Sequence, residues 1–413
     1  MAEKIISPGV FTNEIDQTFL PSAVADIGAA LIGPTLKGPA GVPTVVTSFS
    51  DFQAKFGDVF TNNSASGTGK PESVQFLTSH AAEEYLKNSD TLTVVKVMAG
   101  TFGPATAKVS SSATAGTAGI HSFDLETLGT GTIMNNEDKN NTRTNNINIS
   151  GSKHNIRYEI SNVNQNRGTF TLAIRAGNDN IKRKQTLETF NNCSMDVNSP
   201  NFISKVVGDQ KQIVSTDGTT KFLGLTGSYP NKSRFVRVAQ VQMAVADYLD
   251  ENGGIRDTSV TGSYPLAGSG SAHGGFLGGT DGFSGFDALG NNNGTRVGPA
   301  LFYEKVEENN SQGIDPTAAA NGMDAYVEAL DLIANQDEFD VNLILMPGII
   351  DSVHGTVTAK AIDVCESRGD CFAIIDPVVY GSNLSAATTR GDARDSNFAA
   401  MYWPWVKVPD SQL

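Results

Sequence analysis

Residues 341–377 read VNLILMPGIIDSVHGTVTAKAIDVCESRGDCFAIIDP. The run VNLILMPG (341–348) is short and almost wholly apolar, the composition of a strand buried on both faces, and its Pro-Gly predicts the strand's end. DSVHGTVTAKAIDVCESRG (351–369) changes to a helical period, with Val353, Val357, Ala361 and Val364 on the inward stripe. CFAIIDP (371–377) is the next apolar strand, ending on Asp376 and Pro377. Wholly apolar strands alternating with helices predict a mostly parallel sheet covered on both faces.

The same texture extends outward from this stretch. NGMDAYVEALDLIANQ (321–336) predicts a helix capped by Asn321, with Met323, Tyr326, Leu330 and Ile333 on one face. Near the other end, AALIG (29–33) is a short buried strand. VPTVVTSFSDFQAKFG (42–57) runs from a strand into a helical turn, with Ser50 as N-cap and Gly57 as stop. Pro71 is expected to open a helix over ESVQFLTSHAAEEYLKN, with Val74, Leu77, Ala81 and Tyr85 on one stripe. TLTVVKVMAG (91–100) is a further buried strand.

Residues 101–275 differ. Ser, Thr, Asn and Gly dominate, and short alternating runs (INISG, IRYEISN, TFTLAIRAG, KQIVST) take the place of helical periods. RFVRVAQVQMAVADYLDENGG (234–254) fits a strand or a helix, and the Gly-rich GSGSAHGGFLGGTDG (268–282) reads as a hinge. The fold class is therefore an α/β core, a mixed and mostly parallel sheet with flanking helices, interrupted by a large β-rich insertion domain. Its expected parts are an extended N-terminal arm (1–20), a first part of the core (21–100), the insertion (101–276) and a second part of the core (277–413).

In the arm, SPGVFTNEID comprises Ser7, Pro8, Gly9, Val10, Phe11, Thr12, Asn13, Glu14, Ile15 and Asp16. Pro8 fixes φ, removes a donor and pushes Ser7 away from helix. Val10, Phe11, Thr12 and Ile15 favour a strand, yet Phe11 and Ile15 share a face with Asn13 while Val10 and Thr12 share the other with Glu14 and Asp16. A strand with no clean inside face has no evident place in its own core.

The chain has 413 residues, with 30 Lys and Arg against 44 Asp and Glu, a net charge of −14. That balance disfavours nucleic acid and anionic membrane as partners. Three cysteines, Cys193, Cys365 and Cys371, make no disulfide framework and fit a reducing compartment. The N-terminus carries no apolar signal core, and no stretch approaches the length of a membrane span.

The chemical motifs fail on inspection. GTGKP (67–71) lacks both the upstream Gly and the following Ser or Thr of a phosphate-binding loop. The Gly-rich hinge has GxGxxxG spacing, and GFSGF (282–286) puts Phe286 where a nucleophile elbow needs Gly. Asp363, Glu366 and Asp370 flank Cys365 and Cys371, but the cysteines are expected to be buried and the carboxylates to form a solvated face. Asp376 stands where open α/β sheets place their sites, without a partner base or nucleophile. His80, His121, His154, His273 and His354 are scattered. No catalytic, cofactor-binding or metal-binding residue is assigned, and the chain is expected not to be an enzyme.

Six segments carry a resemblance: SPGVFTNEID, AALIGPTLKGPAGVPTVVTSFSDFQAKFGDVF (29–60), LGGTDG (277–282), NLILMPG (342–348), CESRGDCFAIIDP (365–377) and AAMYWPWVKVPD (399–410). In this order they resemble the tail sheath protein of contractile-tailed bacteriophages, over about 20–100 and 277–410, with 101–276 lying where that family carries a variable, outward-facing insertion. The resemblance implies a virion structural protein of the contractile tail. Its subunits form hexameric rings stacked in a helical assembly around a tail tube protein, bounded by baseplate and tail terminator proteins. Contraction drives the tube through the host envelope for genome ejection and host cell entry. No nucleic-acid partner and no direct membrane insertion are implied. The location is the virion tail, assembled in the host cytoplasm. The family's terminal arms lace neighbouring subunits, so Ser7–Asp16 is expected to add as a strand to another copy. The family continues beyond the segment matching YWPWV, whereas this chain stops at Leu413. The chain is therefore expected to be a fragment or a short variant, mainly monomeric with a mobile arm. Two other readings remain open on the sequence: a sheath subunit of a bacterial contractile injection system, and an α/β hydrolase-like enzyme with polar residues converging near Pro347 and Asp376.

Overall fold

The computed structural model describes residues 28–62, 72–111, 121–136, 152–179, 182–218, 220–267, 275–282 and 306–408. The arm Ser7–Asp16, the GTGKP segment, His273 and nearly all of GFSGF lie outside them.

Six strands form the α/β sheet, in the spatial order Ala399–Met401, Phe372–Asp376, Val341–Ile350, Gly28–Gly33, Leu92–Lys96, Thr44–Val46. Every adjacent pair is parallel except the last, where Thr44–Val46 runs antiparallel to Leu92–Lys96. GAALIG is the central strand, buried at all six positions because both faces are covered. Ala30 and Ile32 point to one face, against the helices Met323–Ile333 and Gly355–Arg368; Ala29 and Leu31 point to the other, against Phe49–Phe56 and Leu77–Leu86. The two-residue alternation of the strand thus divides one apolar run between two helical layers.

Several local expectations are corrected. The first helix is capped by Ser48, whose Oγ accepts from Asp51 N–H at 3.2 Å, and not by Ser50. Gly57 does end it, at φ 76°. No helix starts at Pro71: Glu72–Val74 pairs antiparallel with Phe60–Asn62, and the helix begins at Leu77. That helix buries Thr78, Ser79, Ala82 and Glu83, while Ala81 and Tyr85 of the expected stripe pack half-buried against the sheet, where Tyr85 Oη accepts from Ala29 N–H at 3.0 Å. Gly322, not Asn321, caps Met323–Ile333. Pro347 and Gly348 do not end their strand. It runs on to Ile350 with a register shift between Leu345 and Ile350, the kind of irregularity that tolerates a residue without an N–H.

The described residues between 102 and 282 form mainly antiparallel sheets. One has the order Val236–Val241, Phe123–Thr130, Phe102–Val109, Thr280–Asp281; a second has Thr186–Cys193, Thr169–Ala176, Ile156–Asn164. The two share a core of their own, in which Phe123 and Phe170 stack at 5.8 Å. Residues 234–254 resolve to the strand Val236–Val241 followed by turns. Of the Gly-rich segment, 275–282 is docked and not free: Leu277 exchanges backbone hydrogen bonds with Thr106, and Thr280–Asp281 pairs with Phe102–Gly103. A hairpin, Lys211–Asp217 with Thr220–Thr226, reaches back so that Lys221 pairs with Glu328 of the helix Met323–Ile333 at 3.2 Å.

Candidate functional site

An open α/β sheet binds ligands at the carboxyl ends of its strands, where successive connections leave in opposite directions. Here that point is the end of Gly28–Gly33: the chain moves to one side for Thr44–Val46 and Leu92–Lys96 and to the other for the strands from Val341 on. The crevice is filled by the protein itself. Gly33 abuts the Thr78 hydroxyl so closely that a Cβ would lie 2.4 Å from it. Gln312 Oε1 accepts from Leu77 N–H at 3.0 Å, and Ser311 Oγ donates to Gly348 O at 2.8 Å. Beside it, a cleft of about 180 Å³ lies between the end of Leu92–Lys96 and the helix Met323–Ile333, below the ~300–1,000 Å³ of ligand pockets.

Asp376 ends its strand as the sequence predicts, and burial pushes its carboxyl above the usual range. Its backbone carbonyl accepts from Asp351 N–H at 2.8 Å. The charged group that organises this edge is Asp351, fully buried one residue past the neighbouring strand. Its Oδ1 accepts from Thr358 Oγ1 at 2.6 Å and from Arg394 Nη2 at 2.6 Å, and its Oδ2 lies 3.0 Å from Arg390 Nε. Both guanidiniums come from the Leu384–Asp392 helix and the turn after it, so the cluster clamps the last helix to the sheet. His354 accepts Ile350 N–H on Nδ1 at 3.0 Å and donates from Nε2 to Glu307 O at 3.1 Å. Burial holds it below the ordinary imidazole range, so it is neutral and structural. The ion-pair clamp and the doubly bonded His are thus both engaged in holding the fold.

Sequence reasoning missed Asp351, although an Asp directly after an apolar strand and two Arg four residues apart are its visible traces. It also missed Lys96. That side chain is 2% exposed, donates to Thr130 O at 2.8 Å, and faces Asp281, whose Oδ1 accepts from Thr132 N–H at 3.0 Å. Burial lowers the Lys96 ammonium to about 8, with Asp281 opposing the shift. Lys96 ends a sheet strand, while Asp281 lies where the chain returns from the β-rich region, so the pair joins both crossings.

The carboxylates Asp363, Glu366 and Asp370 are exposed, and Asp370 pairs with Arg368 at 2.8 Å. Among the described residues no group of His, Cys, Asp and Glu is arranged to hold a metal ion. No described helix is long and apolar enough to cross a membrane.

The remaining feature is a surface. Ala399–Met401 pairs only with Phe372–Asp376, so its other side is an open edge within the described residues. Beyond it the chain exposes Tyr402 (67%), Val406 (77%) and Val408 (68%), with Tyr380 and Leu384 also exposed. Trp405 Nε1 donates to Val378 O at 2.9 Å and fixes this segment to the body. An unpaired edge next to exposed apolar side chains is the physical form of an association surface.

No protein-family model matches the chain, and no curated protein matches it. Among solved structures, it is similar to a sheath tail protein from Desulfitobacterium hafniense at 14% identity and TM-score 0.35, covering 92% of this chain and 60% of that one. It is also similar to a sheath tail protein from Listeria innocua at 12% identity and TM-score 0.38, covering 85% of this chain and 48% of that one.

Proposed function

We propose that the chain is a structural, non-catalytic subunit of a contractile tail sheath of the bacteriophage type, which surrounds an inner tube and contracts to drive it through the host envelope. The observation that carries this reading is the ordered set of six segments resembling that family. AALIG lies in the central strand, NLILMPG and FAIID lie in the next two, and AAM is the edge strand. Residues 101–276, with their own core, are the outward-facing insertion. The arm Ser7–Asp16 adds as a strand to a neighbouring copy, where backbone hydrogen bonds carry the affinity and a mixed-face strand is tolerated. Single arms bind weakly, and many engaged together at high local concentration sum to a strong lattice. The partners are further copies in stacked hexameric rings, a tube protein, and baseplate and terminator proteins, in the virion tail after assembly in the host cytoplasm. The test is co-expression of the full-length gene product with the tube protein of the same gene cluster, viewed by electron microscopy. Sheathed tubes are expected with the intact protein, and none after deletion of residues 1–18, although the deleted form stays soluble and folded. Failure of the intact protein to coat tubes overturns the assignment; normal sheaths from the deleted form overturn the role of the arm.

A further inference from the structure

The helix Gly355–Arg368 ends on Gly369, at φ 73°, whose N–H donates to Cys365 O at 2.8 Å. This left-handed cap reverses the chain within one residue, so the segment after it folds back over the last helical turn. Cys365 lies on that turn and Cys371 directly after the reversal. Both are buried in the same apolar cluster, at 0% and 4% exposure, and neither is in a disulfide. The reversal brings Cys365 and Cys371 to the same end of that cluster, beside Arg368. Arg368 is itself fixed by Ile333 O, by Phe339 O at 3.0 Å and by Asp370 at 2.8 Å. Just above the pair, Asp370 is exposed, so the dithiol lies one residue beneath solvent.

We propose that Cys365 and Cys371 form a peroxide-oxidisable dithiol that closes to an intramolecular disulfide across the helix cap. The two sulfurs are unequal. The hydrogen bond from Cys365 and the charge of Arg368 draw Cys371 below the usual thiol range, while Cys365, holding its proton toward Cys371 and buried, is pushed well above it. Cys371, at 4% exposure against 0% for Cys365 and directly after the exposed Asp370, is the sulfur that peroxide reaches first, and as thiolate it is the nucleophile. Its thiolate attacks one oxygen of hydrogen peroxide, the O–O bond breaks, and the leaving hydroxide takes a proton to become water. The resulting Cys371 sulfenic acid is attacked at sulfur by Cys365; the S–O bond breaks, and a second hydroxide leaves and takes the Cys365 proton. Two thiols lose two electrons, and one peroxide becomes two waters. Cys193, whose thiol burial pushes up to about 12, donates to Phe190 O at 3.4 Å in the other core and takes no part.

The test treats the folded full chain with hydrogen peroxide, removes the oxidant with catalase, denatures and alkylates with N-ethylmaleimide. Intact mass should show one maleimide adduct where the untreated protein shows three. Tryptic digestion should join AIDVCESR to the peptide beginning GDCFAIIDP, and dithiothreitol should restore all three adducts. Cys365→Ser should leave Cys371 as a sulfenic acid trapped by dimedone, and Cys193→Ser should form the same crosslink. Persistence of three adducts, conversion of Cys371 to sulfinic acid without the crosslink, or a crosslink through Cys193 overturns the proposal. The wild-type digest decides it even if a variant fails to fold.

Discussion

At the residue scale, Asp351 shows how much of a site a sequence conceals. Its neighbour Asp376 is legible because it ends a recognisable strand, but Asp351 acquires its meaning from Arg390 and Arg394, 39 and 43 positions away, which no local pattern connects. Asp351→Asn removes a buried charge from between two cations and should cost about 2–3 kcal/mol, discounted from a fully buried pair because both arginines are partly exposed. Asp376→Asn should change stability little, and denaturant unfolding of the two variants side by side checks the contrast. His154 gives a pH dependence. Its Nε2 donates to Val59 O at 3.1 Å, and burial, with Lys37 and Lys153 nearby, lowers it from 6.5 to about 4. On acidification the unfolded chain takes up this proton first, so stability is lost as the pH falls from 6.5 to about 4. His154→Gln keeps a donor for Val59 and should flatten that acid limb; urea midpoints measured across the window should then vary less than in the wild type.

At the element scale, the apolar strands and the helices between them were readable because burial on both faces leaves few polar residues to confuse the pattern. Their ends were not. Pro71 is a good helix opener in isolation, but the pairing of Glu72–Val74 with Phe60–Asn62 claims those residues first. Ser48 and Ser50 are equally good caps by type, and only the geometry of the turn selects Ser48. Pro347-Gly348 reads as a terminator, yet the strand continues past it and regains one parallel partner, at Ile350 beside Asp376, after a register shift. The segment after Ala399–Met401 permits an element-level test. Tyr402→Ser, Val406→Ser and Val408→Ser together touch exposed side chains and should each alter stability by no more than about 0.5 kcal/mol. If this segment is an association surface, the triple variant should unfold as the wild type does but lose sheath assembly; unchanged assembly would remove the segment from the interface.

At the scale of the whole molecule, the change from helical to alternating periods marked two textures that the structure places in separate apolar clusters. Hidden from the sequence was how the two are fastened, since a Lys in an apolar strand and an Asp in a Gly-rich segment carry no sign of each other. Replacing residues 101–276 by a short Gly-Ser bridge should leave a cooperatively folding α/β core, at a cost along the seam: Asp281 loses Thr132 N–H and the pairing with Phe102–Gly103, Glu328 loses Lys221, and Lys96 loses Thr130 O, a donor left without its acceptor that is worth about 1–3 kcal/mol. Adding Lys96→Met to the deletion should recover part of that loss in thermal unfolding. A deletion that unfolds without cooperativity, with or without Lys96→Met, would count against a separable insertion.

The central strand has a further consequence, for synthesis. Gly28 pairs with Val341, about 310 residues later. Closing a loop of that length costs about 3 kcal/mol more than closing one of ten residues. At ~5–20 residues per second, the ribosome takes roughly 15–60 s to deliver the partner strand. Throughout that interval GAALIG, apolar on both faces, has one edge without its partner, whereas the strands of 102–282 already have theirs. Nascent chains stalled before residue 341 should therefore yield a protease-resistant fragment from 102–282 and none from 28–96; protection of both would mean that the first strands find a temporary cover while they wait.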